Sequence, residues 1–245
     1  MDGVLTQTAS VHSTAWKRMF DEYLRDRERR FGEPFREFTH TEDYLTYVDG
    51  RPRYRGVENF LRSRGINVPF GTSEDAPRAE TVCGLGNRKN ELFNEILNTD
   101  GVQLYPSTVA LIDELQRQGV RIGLATSSKN SALILEKTAT ASLFETVVDG
   151  LVSEKLGLKG KPEPDIFTTA AANVGANPAQ AIIFEDAVSG VQAGARGSFA
   201  LVIGIAREHN AAELRANGAD LVVTDLAETN VDEINQRVRS KRRGQ

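Results

Sequence analysis

The sequence predicts an α/β fold, a doubly wound parallel sheet into which a small helical domain is inserted. From about Pro106 onward, short β-branched runs alternate with amphipathic segments, and repeated strand-then-helix units are typical of a parallel sheet. The first hundred residues instead show helical periodicity without a clear strand. We therefore predict a core domain at 1–8 and 103–245 and a helical domain at 9–102.

The predicted strands are apolar along most of their length, as expected when helices cover both faces of a sheet. They are Val120–Ala125, Ala181–Phe184, Ala200–Ile203 and Leu221–Val223. The predicted core helices are Ser107–Gln118, Ser131–Thr138, Asp165–Val174, Ala187–Ala195 and Ala211–Asn217. In the helical domain we predict a long helix at 10–30, a loop at 67–78, from its Pro, Gly and Asp content, and a helix near 88–97.

Composition excludes several classes of protein. The net charge of −4 provides no basic field for nucleic acid or an anionic membrane. No run approaches the roughly 18 apolar residues of a membrane span, and no signal peptide is recognisable. The single cysteine, Cys83, excludes an internal disulfide, fits a reducing compartment and is predicted to be buried. We expect a cytoplasmic monomer, whose basic run at 237–243 ends a helix.

Polar side chains cluster where strands end, which is where ligands bind in open parallel sheets. One cluster is residues 126–130 (TSSKN), and another is the adjacent pair Glu185 and Asp186. A third, Asp2-Gly3, lies at the start of the sequence. These three clusters are the candidate functional positions of the core.

These residue types suit phosphoryl transfer through an aspartyl-phosphate, which needs a nucleophile, an acid/base, a metal, a hydroxyl and a fixed cation. Asp2 is the acid/base candidate, Thr126 the hydroxyl and Lys161 the cation. Glu185 and Asp186 are the metal candidates, because adjacent carboxylates repel each other unless a cation joins them. Structural alternatives stay open: a turn at Asp2, helix caps at Thr126 and at the acidic pair, and a solvated lysine.

The order of these pieces resembles the four-motif signature of the haloacid dehalogenase superfamily. The pieces are Asp2-Gly3-Val4, Thr126 after a strand, Lys161-Pro162-Glu163-Pro164-Asp165, and Glu185-Asp186 followed by Ser189-Gly190-Val191. In that family the first motif is Asp-x-Asp-Gly, whose first aspartate is phosphorylated and whose second is the acid/base. Asp2 matches the second, so the nucleophile would directly precede Met1. The resemblance implies a Rossmann-like core with a helical cap and Mg²⁺ as cofactor.

Motifs in the helical domain, together with one loop of the core, resemble the β-phosphoglucomutase-like subfamily. The matching residues are Asp49-Gly50-Arg51-Pro52-Arg53, Arg88-Lys89-Asn90, His12, and the loop Ser127, Ser128, Lys129, Asn130. The resemblance implies that Arg53, in the motif with Gly50, clamps a distal phosphate, while Lys89 and Asn90 line the sugar pocket. It implies that His12 couples cap closure to acid/base alignment, and that the loop lies near the non-transferring phosphate.

The implied activity is an isomerase reaction of carbohydrate metabolism on a small sugar phosphate. Mg²⁺ would be held by the nucleophile, the Asp2 carbonyl and Asp186, with Glu185 acting through water. β-Glucose 1-phosphate would become glucose 6-phosphate by way of an aspartyl-phosphate and a bisphosphate intermediate. Two alternatives stay open: a sugar-phosphate phosphatase, which is a hydrolase, and a catalytically inactive sugar-phosphate-binding domain.

The resemblance also has a consequence for the sheet. In the family, the strand before the acid/base aspartate is central, between the strand that ends at Thr126 and the strand that ends at Glu185. We therefore expect the structure to contain additional residues that supply this strand, or a gap between the two strands that something else fills. We expect a chain starting at Met1 to be inactive, and poorly soluble or partly unfolded, because unpaired backbone groups and apolar side chains would otherwise be exposed along a buried edge.

Overall fold

Residues Thr8–Gly101 form a helical unit in the computed structural model, which describes residues 1–243. Its α-helices are α1 (Ala9–Phe31), α2 (Arg53–Ser63) and α3 (Val82–Asp100), and a π-helix covers His40–Val48. The predicted helices at 10–30 and 88–97 correspond to α1 and α3. The sequence-predicted domain boundaries lie one residue later than those of this unit.

Aromatic packing holds the helical unit together. Apolar residues recur every three or four positions on one face of α1, and Gly32 ends the helix in the left-handed region at φ 71°. The ring of Phe20 lies 5.0 Å from that of Phe38 and 4.1 Å from that of Phe60, measured between centroids. Cys83 is buried, as predicted.

The second unit, Met1–Gln7 with Val102–Gln245, is the α/β core. Its strands are β1 (Gly123–Ala125), β2 (Thr146–Val148), β3 (Ile182–Glu185), β4 (Leu201–Ile205) and β5 (Leu221–Val223). Its helices are α4 (Pro106–Arg117), α5 (Ser131–Lys137), α6 (Gly150–Leu156), α7 (Asp165–Asn173), α8 (Val188–Arg196), α9 (Ala211–Ala216) and α10 (Val231–Arg243). The last turn of α10 carries the basic run, as predicted. Within residues 1–243, no helix combines the length and apolarity needed to cross a bilayer.

Every strand pair is parallel, and helices pack on both faces of the larger sheet. β3, β4 and β5 form that sheet in this order, with Ile183 opposite Val202. Alternate residues of β4 point to opposite faces: Val202 packs with α7 and α8 residues, whereas Ile203 packs with α4 and α10 residues. The α/β doubly wound class predicted from the sequence is confirmed.

A gap separates the two sheets of the core. β1 pairs with β2, and in the part of the chain that the structure describes, neither strand pairs with β3. An apolar cavity of about 470 Å³ lies there, lined on one side by residues of β1 and on the other by residues of β3. Residues of α4 and α7, and Met1 itself, complete its lining. In residues 1–243, open space rather than a further strand therefore separates β1 from β3.

Filling this cavity should stabilise the 245-residue chain. Ala170 of α7 lines the cavity, whereas Ala193 of α8 is fully buried in close packing away from it. We expect Ala170→Leu to raise the free energy of unfolding by about 0.5–2 kcal/mol, because its added atoms enter existing space. The matched change Ala193→Leu should lower it by about 1–3 kcal/mol through overpacking. Urea unfolding measures both, and similar losses in the two variants would show that no open cavity exists in solution.

Candidate active site

The segment Met1–Gln7 is a tight loop fixed to the core. The Met1 carbonyl accepts bonds from the amides of three residues that follow it, and the Gly3 amide donates to the Thr6 carbonyl at 2.9 Å. The Thr108 hydroxyl donates to the Val4 carbonyl at 2.6 Å, which ties the loop to α4. Because both ends of this loop are held, Asp2 has a defined position beside β1.

Gly3 brings the loop into direct contact with the Asp186 carboxylate. It has φ +65°, and a Cβ added to it would lie 1.7 Å from Asp186 Oδ2. Only glycine combines that backbone conformation with so close an approach. The Asp2-Gly3 turn and the acidic pair after β3, predicted separately from the sequence, therefore meet at one place.

Thr126 links β1 to this turn. Its hydroxyl donates to Asp2 Oδ2 at 3.3 Å and accepts from the Ser128 amide at 3.2 Å. Thr126 is buried, and its own amide bonds the carbonyl of Val148 in β2. The hydroxyl thus supports the turn after β1 and also touches Asp2, as the chemical interpretation requires. The alternative of a helix cap is wrong for Thr126, because α5 begins at Ser131 and its N-cap residue is Asn130.

Lys161 is buried against Glu185. Its ammonium lies 3.0 Å and 3.1 Å from the two carboxylate oxygens, and both side chains are 5% exposed. A Cβ on Gly190 would lie 2.2 Å from the Glu185 carboxyl carbon, so the first turn of α8 is shaped to this side chain. The alternative of a solvated lysine is wrong, since burial and pairing fix this cation.

The acidic pair has oxygen groups suited to a hard cation. The Asn210 amide donates to the Asp186 carbonyl at 3.5 Å, while Asn210 Oδ1 and Ser189 Oγ are buried without a hydrogen-bond partner in residues 1–243. No group of three His, Cys, Asp or Glu side chains able to hold a metal occurs in that range. This donor set fits Mg²⁺, which typically uses one or two carboxylates together with waters and substrate phosphates.

The loop after Thr126 is ordered by short contacts. The Ser128 hydroxyl accepts from the Asn130 amide at 3.2 Å, and Lys129 pairs with Glu154 at 2.8 Å. A Cβ on Gly150 would lie 2.7 Å from the Ser127 carbonyl oxygen, which packs the loop onto the start of α6. All four predicted loop residues therefore follow the strand end at which Asp2 and Thr126 meet.

In the helical unit, the partly exposed His12 pairs with the buried Lys89. Lys89 Nζ lies 2.6 Å from His12 Nδ1, and Lys89 is 3% exposed. The ammonium also lies 4.4 Å from the centroid of the Phe93 ring, on which His12 stacks at 4.1 Å. The structure thus joins two residues that the sequence separates by 77 positions.

Arg53 and Asn90 form a second pair beside the first. Arg53 Nη2 donates to Asn90 Oδ1 at 2.7 Å, and Arg53 is the first residue of α2. Gly50 has φ +67° in the turn that precedes this helix. Since Asn90 directly follows Lys89 on α3, the predicted sugar and phosphate residues of this unit converge.

Asn210 was missed from the sequence. It directly precedes α9 and contacts the Asp186 carbonyl. An asparagine before a helix is a common capping residue, so no pattern in the sequence distinguished it from an ordinary cap.

The Lys161–Glu185 pair should be energetically coupled. We expect Lys161→Met to lower the free energy of unfolding by about 3–5 kcal/mol, because Glu185 would stay buried without its cation. The double variant Lys161→Met/Glu185→Leu should recover most of that loss, since apolar residues can replace a buried ion pair. Urea unfolding of the single and double variants measures the coupling, and simple addition of the single losses would contradict it.

Comparison with known proteins agrees with this geometry. A family model described as haloacid dehalogenase-like hydrolase matches residues 1–197. A "Beta-phosphoglucomutase" of Mycobacterium bovis is 46% identical over 231 residues, covering 93% of this chain and 88% of that protein. One of Bacillus subtilis is 29% identical over 234 residues, covering 95% and 90%.

Comparison with solved structures finds proteins of the same kind. A crystal structure of beta-phosphoglucomutase from Clostridium difficile matches with a TM-score of 0.74 and 21% identity, covering 98% of this chain and 94% of that one. At that identity the likeness shows the fold, while the family model and the sequence relatives show the membership. The chain therefore belongs to the haloacid dehalogenase superfamily, within its β-phosphoglucomutase-like subfamily.

Proposed function

We propose that this chain is the magnesium-dependent phosphotransferase part of a β-phosphoglucomutase, which converts β-glucose 1-phosphate to glucose 6-phosphate. The proposal rests on two contacts at the Asp2-Gly3 turn: the Thr126 hydroxyl donates to the Asp2 carboxylate, and the Gly3 backbone lies against the Asp186 carboxylate. The 46% identity to the Mycobacterium bovis enzyme supports the choice of substrate. Carbohydrate metabolism in the cytoplasm is the corresponding setting.

The residues of the core have separate roles in this proposal. Asp2 protonates the leaving oxygen and later removes the proton of the incoming hydroxyl. Thr126 donates a hydrogen bond from its hydroxyl to the phosphoryl group, and the buried Lys161 offsets the negative charge of that group. Asp186 and the Asp2 carbonyl would hold Mg²⁺, which when bound offsets the charge of the phosphate oxygens. Glu185 keeps Lys161 in place and would help to hold the metal through water.

The helical unit supplies sugar and phosphate recognition in this proposal. Arg53 offers a planar fork of donors to a phosphate, and its bond to Asn90 holds that fork in place. Lys89, fixed between His12 and Phe93, presents an ammonium to the sugar hydroxyls. A clamp for a second phosphate favours the mutase over simple hydrolysis, because a bisphosphate must be retained between two half-reactions.

The reaction also needs a carboxylate nucleophile. In the family it stands two positions before the acid/base, which corresponds here to the position ahead of Met1. We propose that an aspartate at that position, on a strand between β1 and β3, completes the site. The apolar cavity between these strands supports this part of the proposal.

A matched pair of extended proteins tests the function. One carries an apolar strand ending in Phe-Asp directly before Met1, and the other ends in Phe-Asn. With Mg²⁺, the Asp version should convert β-glucose 1-phosphate to glucose 6-phosphate only when glucose 1,6-bisphosphate is present, and the Asn version should be inactive.

Other outcomes identify the alternatives. Release of inorganic phosphate without dependence on the bisphosphate would indicate a sugar-phosphate phosphatase, which the hydrolase family description favours. Binding of sugar phosphate without turnover in either version would indicate an inactive binding domain. A coupled assay for glucose 6-phosphate and a phosphate-release assay distinguish the three.

Arg53→Ala in the Asp version should lower kcat/KM for the sugar bisphosphate. It should leave kcat/KM for small aryl phosphates nearly unchanged, because these substrates have no second phosphate to clamp. We expect a loss of about 2–4 kcal/mol, or roughly 30- to 900-fold in kcat/KM, on the sugar bisphosphate alone. Arg55→Ala is the control, because Arg55 lies on the same helix but is exposed and paired with Glu58. Equal losses on both substrates would place Arg53 outside the phosphate site.

A further inference from the structure

Arg207 connects the acid/base turn to the far end of the large sheet. It follows β4, and its side chain is 13% exposed. Arg207 Nε donates to the Gly3 carbonyl at 3.1 Å. Nη1 donates to the Thr224 carbonyl and to Asp225 Oδ2, both at 2.9 Å. One side chain thus joins the N-terminal loop to the residues directly after β5.

Stacking fixes the plane of this guanidinium, because its central carbon lies 3.7 Å from the centroid of the Tyr105 ring. Asp225 accepts from Nη1 rather than from the Nε that faces Gly3, and bonds from the Ser107 hydroxyl, the Ala227 amide and Arg207 lower the pKa of Asp225 to about 2. The Tyr105 stack therefore sets the direction from which Nε approaches Gly3.

The Gly3 carbonyl is the point at which such a contact matters. Gly3 has no side chain, and its positive φ lets the backbone touch Asp186. The hydrogen bonds of Met1 and Thr6 shape the loop internally, and those from Thr108 and Tyr105 attach its second half to the core. Arg207 is a charged donor to the first half of the loop, at the turn adjoining Asp2.

We propose that Arg207 is a positioning residue, which holds the Asp2-Gly3 turn so that the Asp2 carboxylate faces Thr126 and the turn stays against Asp186. The inference rests on the proposed function for the role of Asp2, but its structural part does not. The competing possibility is that Arg207 only secures the end of β5. Asp225 separates the two, because it contacts Arg207 at the sheet end and not at Gly3.

Hydrogen exchange on the 245-residue chain tests the structural part. Arg207→Met should speed exchange of the amides in Met1–Gln7 by about tenfold or more, since a charge-assisted bond is lost. Asp225→Asn should speed exchange around Thr224 while leaving that segment within about threefold of the parent. Unchanged exchange of Met1–Gln7 in Arg207→Met, or an equal increase in Asp225→Asn, would overturn the proposal.

Kinetics on the Asp-extended version test the link to Asp2. Arg207→Met should lower kcat by about tenfold or more and leave KM within about threefold, because Arg207 acts through Asp2 rather than on the sugar. Asp225→Asn should keep nearly full kcat. Unchanged kcat in Arg207→Met would overturn the role in catalysis. An inactive extended parent would instead refute the proposed function, and the exchange result would then decide the role of Arg207 in the turn.

Discussion

The contact between the Gly3 backbone and the Asp186 carboxylate is the constraint on which the core site depends. It joins the first residues of the chain to a turn more than 180 positions later, and it leaves no room for any side chain at Gly3. Asp2 then falls beside Thr126, at the end of β1. The contact between Gly3 and Asp186 thereby places the N-terminal loop beside the residues that follow β1 and β3.

A buried ion pair gives the same region its rigidity. Lys161 and Glu185 form an ion pair inside the protein, and Gly190 lets the first turn of α8 pack closely against the glutamate side chain. Desolvating two charges has a large free-energy cost unless their geometry is good. The arrangement therefore favours a fixed cation over a mobile one, which suits a group that must offset phosphoryl charge without reorganising.

Much of the fold could be predicted from the sequence, because buried strands and amphipathic helices carry strong periodic signals. Leu221–Val223 was predicted with the bounds of β5, and α4 lies within one residue of its prediction. β2, Thr146–Val148, was missed, although it is as long as β5. α2 was missed because most of its residues are charged or polar, and the few apolar residues that it buries give a weak periodic pattern.

The candidate site was predictable only where chemistry dictates residue type in a fixed order. Asp2, Lys161 and the acidic pair were found in this way, because phosphoryl transfer calls for those groups. Arg207 and Asn210 were not found, since they act through backbone carbonyls, which any donor can reach from many places in a sequence. The pairing of His12 with Lys89 depends on how α1 packs against α3, which no local pattern reveals.

The cavity between β1 and β3 also bears on how the 245-residue chain behaves in a crowded solution. A strand edge with unpaired amides and carbonyls is a template for pairing with any extended segment that meets it. Here two such edges line one apolar space. An extended segment of another molecule that entered this space could pair with both edges, so we expect any association of the 245-residue chain to depend on its concentration as well as on its folding stability.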